Sequence, residues 1–127
     1  GNHEKVKELL AMGHSADERS PYMETPLHVV AIVGDFLTAQ ELIRAGADLN
    51  AKASPGKTLS MTPLHWNIYY GRIEIVAALL HGGADPNIPD ENGKTCLEMA
   101  TEAQKPEIHD LLLKFVNMKR GRGDGDL

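Results

Sequence analysis

The sequence is poor in several things, and each shortage closes off a class of protein. It has one cysteine, Cys96, among 127 residues. A single thiol forms no intrachain disulfide, so cysteine usage gives no sign of an oxidising compartment. No apolar run reaches the ~18 residues that a membrane-spanning helix needs. The opening residues, Gly1-Asn2-His3-Glu4-Lys5, do not make a secretion signal, and no initiator Met stands before them. Basic residues are outnumbered, with 13 Lys and Arg against 18 Asp and Glu and a formal net charge of -5. Nucleic-acid affinity rests on Lys and Arg neutralising phosphates, so a nucleic acid is not the expected partner. The one basic cluster, Lys119-Arg120-Gly121-Arg122, is followed by Asp124 and Asp126 in a Gly-rich tail. Aromatic residues make up 5% of the chain, so where they fall carries information. These shortages together lead us to expect an intracellular protein of cytoplasm or nucleus, with no direct membrane insertion.

What the chain does have is repetition. Thr25-Pro26-Leu27-His28 returns 37 residues later as Thr62-Pro63-Leu64-His65, and more weakly after a further 33 as Thr95-Cys96-Leu97-Glu98. Gly46-Ala47-Asp48-Leu49-Asn50 returns as Gly83-Ala84-Asp85-Pro86-Asn87 with the same 37-residue spacing, and Gly13-His14-Ser15-Ala16-Asp17 lies 33 before it. The period is therefore 33, with four residues added between Asn50 and Thr62. A fixed period of this size marks a stack of repeated units.

The local chemistry within each unit is that of two short helices. Thr25, Thr62 and Thr95 are suited to cap a helix N-terminus, and Pro26 and Pro63 then fill the first helical position, where a missing N–H costs nothing. Gly34 and Gly71 stop the first helix. A second helix follows, with Ile75, Val76, Leu79 and Leu80, or Leu42 and Ile43, at helical spacing. Gly46 and Gly83 end it, and a turn rich in Gly, Asp and Asn leads onward. Helices of ~8–10 residues fall short of the ~12–15 that hold their own in water. Each must bury its apolar stripe on its neighbours, so the expected fold is all-α, a solenoid.

This pattern resembles the ankyrin repeat family. The resemblance implies about three and a half repeats with β-turn or hairpin connections: a half repeat over 1–19, repeats over 20–52, 53–89 and 90–117, and a flexible tail over 118–127. Gly1 falls in phase with Gly34 and Gly71, so the first unit holds a second helix alone (residues 3–12), and we expect a fragment with further repeats upstream. The last unit carries Glu98 for His and Gln104 for Gly, as a terminal cap can, and its second helix is expected over Pro106 to about Val116. Asn67 stands where the family places a small apolar residue and requires hydrogen-bond partners.

Motifs that hint at other chemistry are better explained by the repeat. Ala51 to Thr58 loosely matches a phosphate loop, but it follows a helix where such loops follow a buried strand. Gly56-Lys57-Thr58 mimics Gly93-Lys94-Thr95, the ordinary turn between repeats, with Leu59-Ser60-Met61-Thr62 as the four added residues. His28 and His65 belong to the repeat motif, where the resemblance implies a structural hydrogen bond into the turn. No His-x-x-x-His pair or Cys/His cluster suggests a metal, and Cys96, in the place of the motif's Pro, has no base beside it in sequence. Arg122-Gly123-Asp124 is an adhesion-like tripeptide in a chain with no secretion signal. We expect no catalytic residue, cofactor or metal. Asn50 and Asn87 resemble the family's substrates for asparaginyl hydroxylation, besides their turn-forming role.

Family geometry implies that first helices and turn tips share one concave surface. Mapped onto this sequence, the surface carries Val29, Ile32 and Val33, then Trp66, Tyr69 and Tyr70, then Met99, Glu102 and Ala103, with Tyr22 and Met61 at turn tips. Four of the six aromatic rings fall on it. They either pack on each other and on the added residues or mark a site for another protein. The expected function is a protein-interaction module holding an apolar segment of a partner, with Trp66 at the centre. The alternatives are a regulatory segment of a larger enzyme or channel, packed in cis, and more remotely a nucleotide-binding loop.

Overall fold

The computed structural model describes residues 2–19, 24–53 and 60–125. Seven helices are present among them, and no strand: α1 (Asn2–Ala11), α2 (Pro26–Val33), α3 (Phe36–Arg44), α4 (Pro63–Tyr69), α5 (Ile73–His81), α6 (Cys96–Glu102) and α7 (Pro106–Gly125). They stack in two layers. The first helices α2, α4 and α6 lie side by side, and the second helices α1, α3, α5 and α7 form the layer behind them. The fold is the expected all-α solenoid of helix–turn–helix units.

The stops and starts are those the sequence signals. Thr25, Thr62 and Thr95 cap α2, α4 and α6 with extended backbones. Gly34 and Gly71 turn the chain through left-handed conformations, at φ 79° and 74°, that side-chain-bearing residues avoid. The third unit makes the same turn with Gln104 at φ 56°. At the start of α3, Asp35 Oδ1 accepts from Thr38 N–H at 3.3 Å.

The core runs the length of the stack. Leu27, Leu42, Leu64, Ile68, Ile75, Leu79 and Leu112 are fully buried, one or two from each of the helices α2 to α5 and from α7. At ~25 cal/mol per Å² of apolar surface, each such side chain contributes about 1.5–3 kcal/mol, within a core that joins helices of each unit to those of the next.

Two expectations meet a different outcome. The helical trace of α7 passes the end expected near Val116 and runs to Gly125. Met99, expected on the exposed face, is buried at 8% exposure and belongs to the core. Its unbranched side chain bends inward, whereas the branched Val29 at the same place in its repeat stays at the surface. Tyr22 and residues 54–59, which include Lys57 of the phosphate-loop look-alike, lie outside the described residues.

Candidate functional site

The first-helix face is held in place by polar links between successive units. His28 is buried on α2, and its Nδ1 accepts from Thr25 N–H at 3.1 Å. The proton must therefore sit on Nε2, which donates to Met61 O in the next unit at 2.9 Å. His65 repeats the arrangement, accepting from Thr62 N–H at 3.2 Å and donating to Lys94 O at 3.2 Å. A second proton on either ring would face a backbone N–H. Burial, the larger effect, and this geometry both favour the neutral imidazole, and each histidine is held below its usual value. These are the structural hydrogen bonds the resemblance implies.

Two further links join α2 to the following unit. Arg72 donates from Nε to Ala31 O at 2.7 Å and from Nη2 to Ile32 O at 2.8 Å, so a cation closes the carbonyl end of α2. Asn67 is fully buried, with Nδ2 donating to Pro63 O at 2.8 Å and reaching Leu27 O at 3.5 Å. Its Oδ1 has no partner among the described residues. Two carbonyls facing the amide require its NH₂ group there, which fixes the orientation of the side chain.

On this scaffold, α2 presents Val29, Ile32 and Val33, and α4 and its C-cap present Tyr69 and Tyr70, all exposed. Tyr69 is 63% exposed and Val33 60%. Each residue on α4 lies one repeat beyond its counterpart on α2, so the set forms one patch across two adjoining helices. The Tyr69 and Tyr70 rings meet edge to face at 5.2 Å. Trp66 is half-buried, its ring edge to face with His28 at 5.2 Å. Trp66 is therefore part floor and part scaffold, only partly at the surface position expected of it. Met61 is half-buried against the core.

The patch ends at α6. Met99 is turned inward, leaving Glu98 and Glu102 exposed. Glu102 pairs with Lys94 at 2.6 Å, and Glu98 Oε1 accepts from Thr95 Oγ1 at 3.3 Å. The opposite face of the stack carries an open groove between α3 and α5, lined by Phe36, Ile43, Ala78 and His81 among others.

The remaining candidates sit in turns or in the core. Asn50 is half-buried, and its Oδ1 accepts from Asp85 N–H at 2.8 Å, linking one turn to the next. Asn87 is exposed, and its N–H donates to Asp85 Oδ1 at 2.9 Å. The Cys96 thiol is pushed up to about 12, first by burial and then by Asp85 and Asp90, so it stays protonated at neutral pH. Among the described residues no His, Cys, Asp or Glu side chains gather in threes as metal ligands do, and no helix is long and apolar enough to cross a membrane. The links made by Arg72 and Asn67 escape sequence reasoning because their partners lie about 40 residues away.

Comparison with known proteins agrees with this architecture. A family model for ankyrin repeats (3 copies) matches residues 1–90 and 60–121. Palmitoyltransferase AKR1 of Kluyveromyces lactis is 42% identical over 90 residues, 71% of this chain and 12% of that protein. A transient receptor potential cation channel subfamily A member 1 homolog of Caenorhabditis elegans is 29% identical over 108 residues, 85% of this chain and 8% of its own length. ADP-ribosylation factor GTPase-activating protein AGD4 of Arabidopsis thaliana is 40% identical over 76 residues, 60% of this chain and 9% of that protein. The chain thus spans a small part of each of these relatives.

Proposed function

The chain belongs to the ankyrin repeat family, and from that premise we propose that it is a protein-interaction module holding an apolar segment of a partner across α2 and α4. The observation that carries this reading is the patch of Val29, Ile32, Val33, Tyr69 and Tyr70, exposed on a rigid pair of helices. A water-facing apolar cluster of this kind stabilises nothing in the stack alone, and covering it releases its hydration. Tyr is among the residue types that dominate interface energies. Trp66 contributes from below, through its contact with His28.

Tyr69→Ala is the cleanest test, because this ring is the most exposed of the set and its loss leaves the core untouched. Peptides selected from a random library against the unaltered chain should bind Tyr69→Ala about thirtyfold more weakly, the loss of ~2 kcal/mol expected of a central anchor. The helical signal should be unchanged. Amide shifts on peptide addition should map to α2 and α4. Equal binding by the variant, or shifts confined to the groove between α3 and α5, would defeat the reading.

A second reading is favoured by the relatives. They are far longer proteins, a channel and enzymes among them, so the segment covering the patch can belong to the same polypeptide and regulate it in cis. Both readings place the same chemistry on the same face.

A further inference from the structure

We propose that the occupant of this face is an extended peptide segment with apolar side chains over α2 and α4 and a Lys or Arg set against Glu98 and Glu102 of α6. This rests on the interaction reading above and specifies its partner. Three observations support it.

The apolar floor stops abruptly. At one place in the repeat the residues are Ile32, Tyr69 and Glu102, and at the next Val33, Tyr70 and Ala103. With Met99 buried, an apolar side chain arriving over α6 would find a carboxylate–ammonium pair and would have to strip water from it. The partner is therefore polar at that point.

The sign of the charge follows from the local balance. Glu98 and Glu102 are both exposed, and Lys94 is committed to Glu102 at 2.6 Å. Glu98 accepts from the Thr95 hydroxyl, which leaves its charge uncompensated by that bond. Two carboxylates against one ammonium favour a cation, in a chain whose net charge is already -5. An acidic segment would be repelled, and such juxtapositions govern which partner binds more than how tightly.

The spacing is set by the stack. Neighbouring packed helices lie ~8–10 Å apart, and an extended chain of polyproline II form advances ~3.1 Å per residue with three residues per turn, so every third side chain faces the stack. A segment crossing the first helices thus touches a new one about every third residue. The recognised pattern is apolar, two spacers, apolar, two spacers, basic, and it can run in either chain direction.

The test uses the whole chain and three synthetic peptides that share the apolar anchors of a library-selected binder. They differ at one position, placed three residues beyond the second anchor, which holds Lys, Gln or Glu. Calorimetry should rank them Lys, then Gln, then Glu, with Lys over Gln by about two- to fivefold, the range of an exposed pair. The preference should shrink as salt rises, and it should vanish in the Glu98→Gln/Glu102→Gln double variant. Salt dependence on the unaltered chain stands even if that variant folds poorly. Equal affinity for all three peptides, with Tyr69→Ala still weakening each of them, would overturn the basic-partner inference while leaving the interaction reading intact. Binding of all three unaffected by Tyr69→Ala would overturn both.

Discussion

The buried histidines make stability depend on pH in a calculable direction. Both are held below their usual 6.5 in the folded chain, chiefly by burial. Below about pH 6.5 the unfolded chain takes up protons that the folded chain refuses, so stability is full above that pH and falls as acid is added, until the folded-state values are passed. Each histidine contributes at most about 1.4 kcal/mol per pH unit within that window. Urea unfolding at pH 7.5 and 5.5 should show the loss, and His65→Gln should reduce the slope; an unchanged slope would mean that the ring does not titrate differently in the two states. Asn67 offers the opposite kind of test. Its counterparts in the flanking repeats are Val30 and Ala100, and its Oδ1 is buried without a partner among the described residues. Asn67→Ala removes an unsatisfied group at the expense of one good hydrogen bond, and chemical denaturation should show it neutral or up to ~1 kcal/mol more stable. The sequence flags Asn67 as an anomaly; its bond to Pro63 O lies within α4, but the reach to Leu27 O follows only from how α4 meets α2, because Leu27 is 40 residues away.

Helix boundaries were the most readable elements, because each is settled by a few adjacent atoms. A Thr before a Pro, or a Gly at the end, acts through local backbone geometry wherever it occurs. The turn after α6 shows the same rule from its exception. Gln104 takes a left-handed conformation at φ 56°, where Gly34 and Gly71 serve the other units. A Cβ in that region is strained by about 1 kcal/mol or more, partly offset by the extra freedom glycine has when unfolded. Gln104→Gly should therefore raise stability by about 0.5–1 kcal/mol, read as a higher denaturation midpoint with an unchanged slope. A lower midpoint would show that the Gln side chain holds the turn. Burial was less legible than boundaries. Val29, Trp66 and Met99 share one place in the repeat, yet they are respectively exposed, half-buried and buried. Shape and flexibility decide that outcome, and periodicity does not report them.

Across the whole molecule, the period alone disclosed the stack, since repeated short helices have nowhere to bury an apolar stripe except on one another. The face that the stack offers could be listed from register, but where its apolar floor ends could not, because that depends on Met99 folding inward. Between the first two full units the chain is joined across the junction at its base. Ala53 N–H donates to Met61 O at 3.0 Å, and His28 donates to the same oxygen at 2.9 Å. The later repeats are held by these bonds together with the Arg72 links and the packing of α4 on α2, none of which depends on the chain threaded between Ala53 and Met61. Doubling a loop costs only ~0.6 kcal/mol in closure entropy. The junction is thus a natural splice point, able to carry cargo such as an epitope or a reporter while the pitch of the later repeats is inherited unchanged.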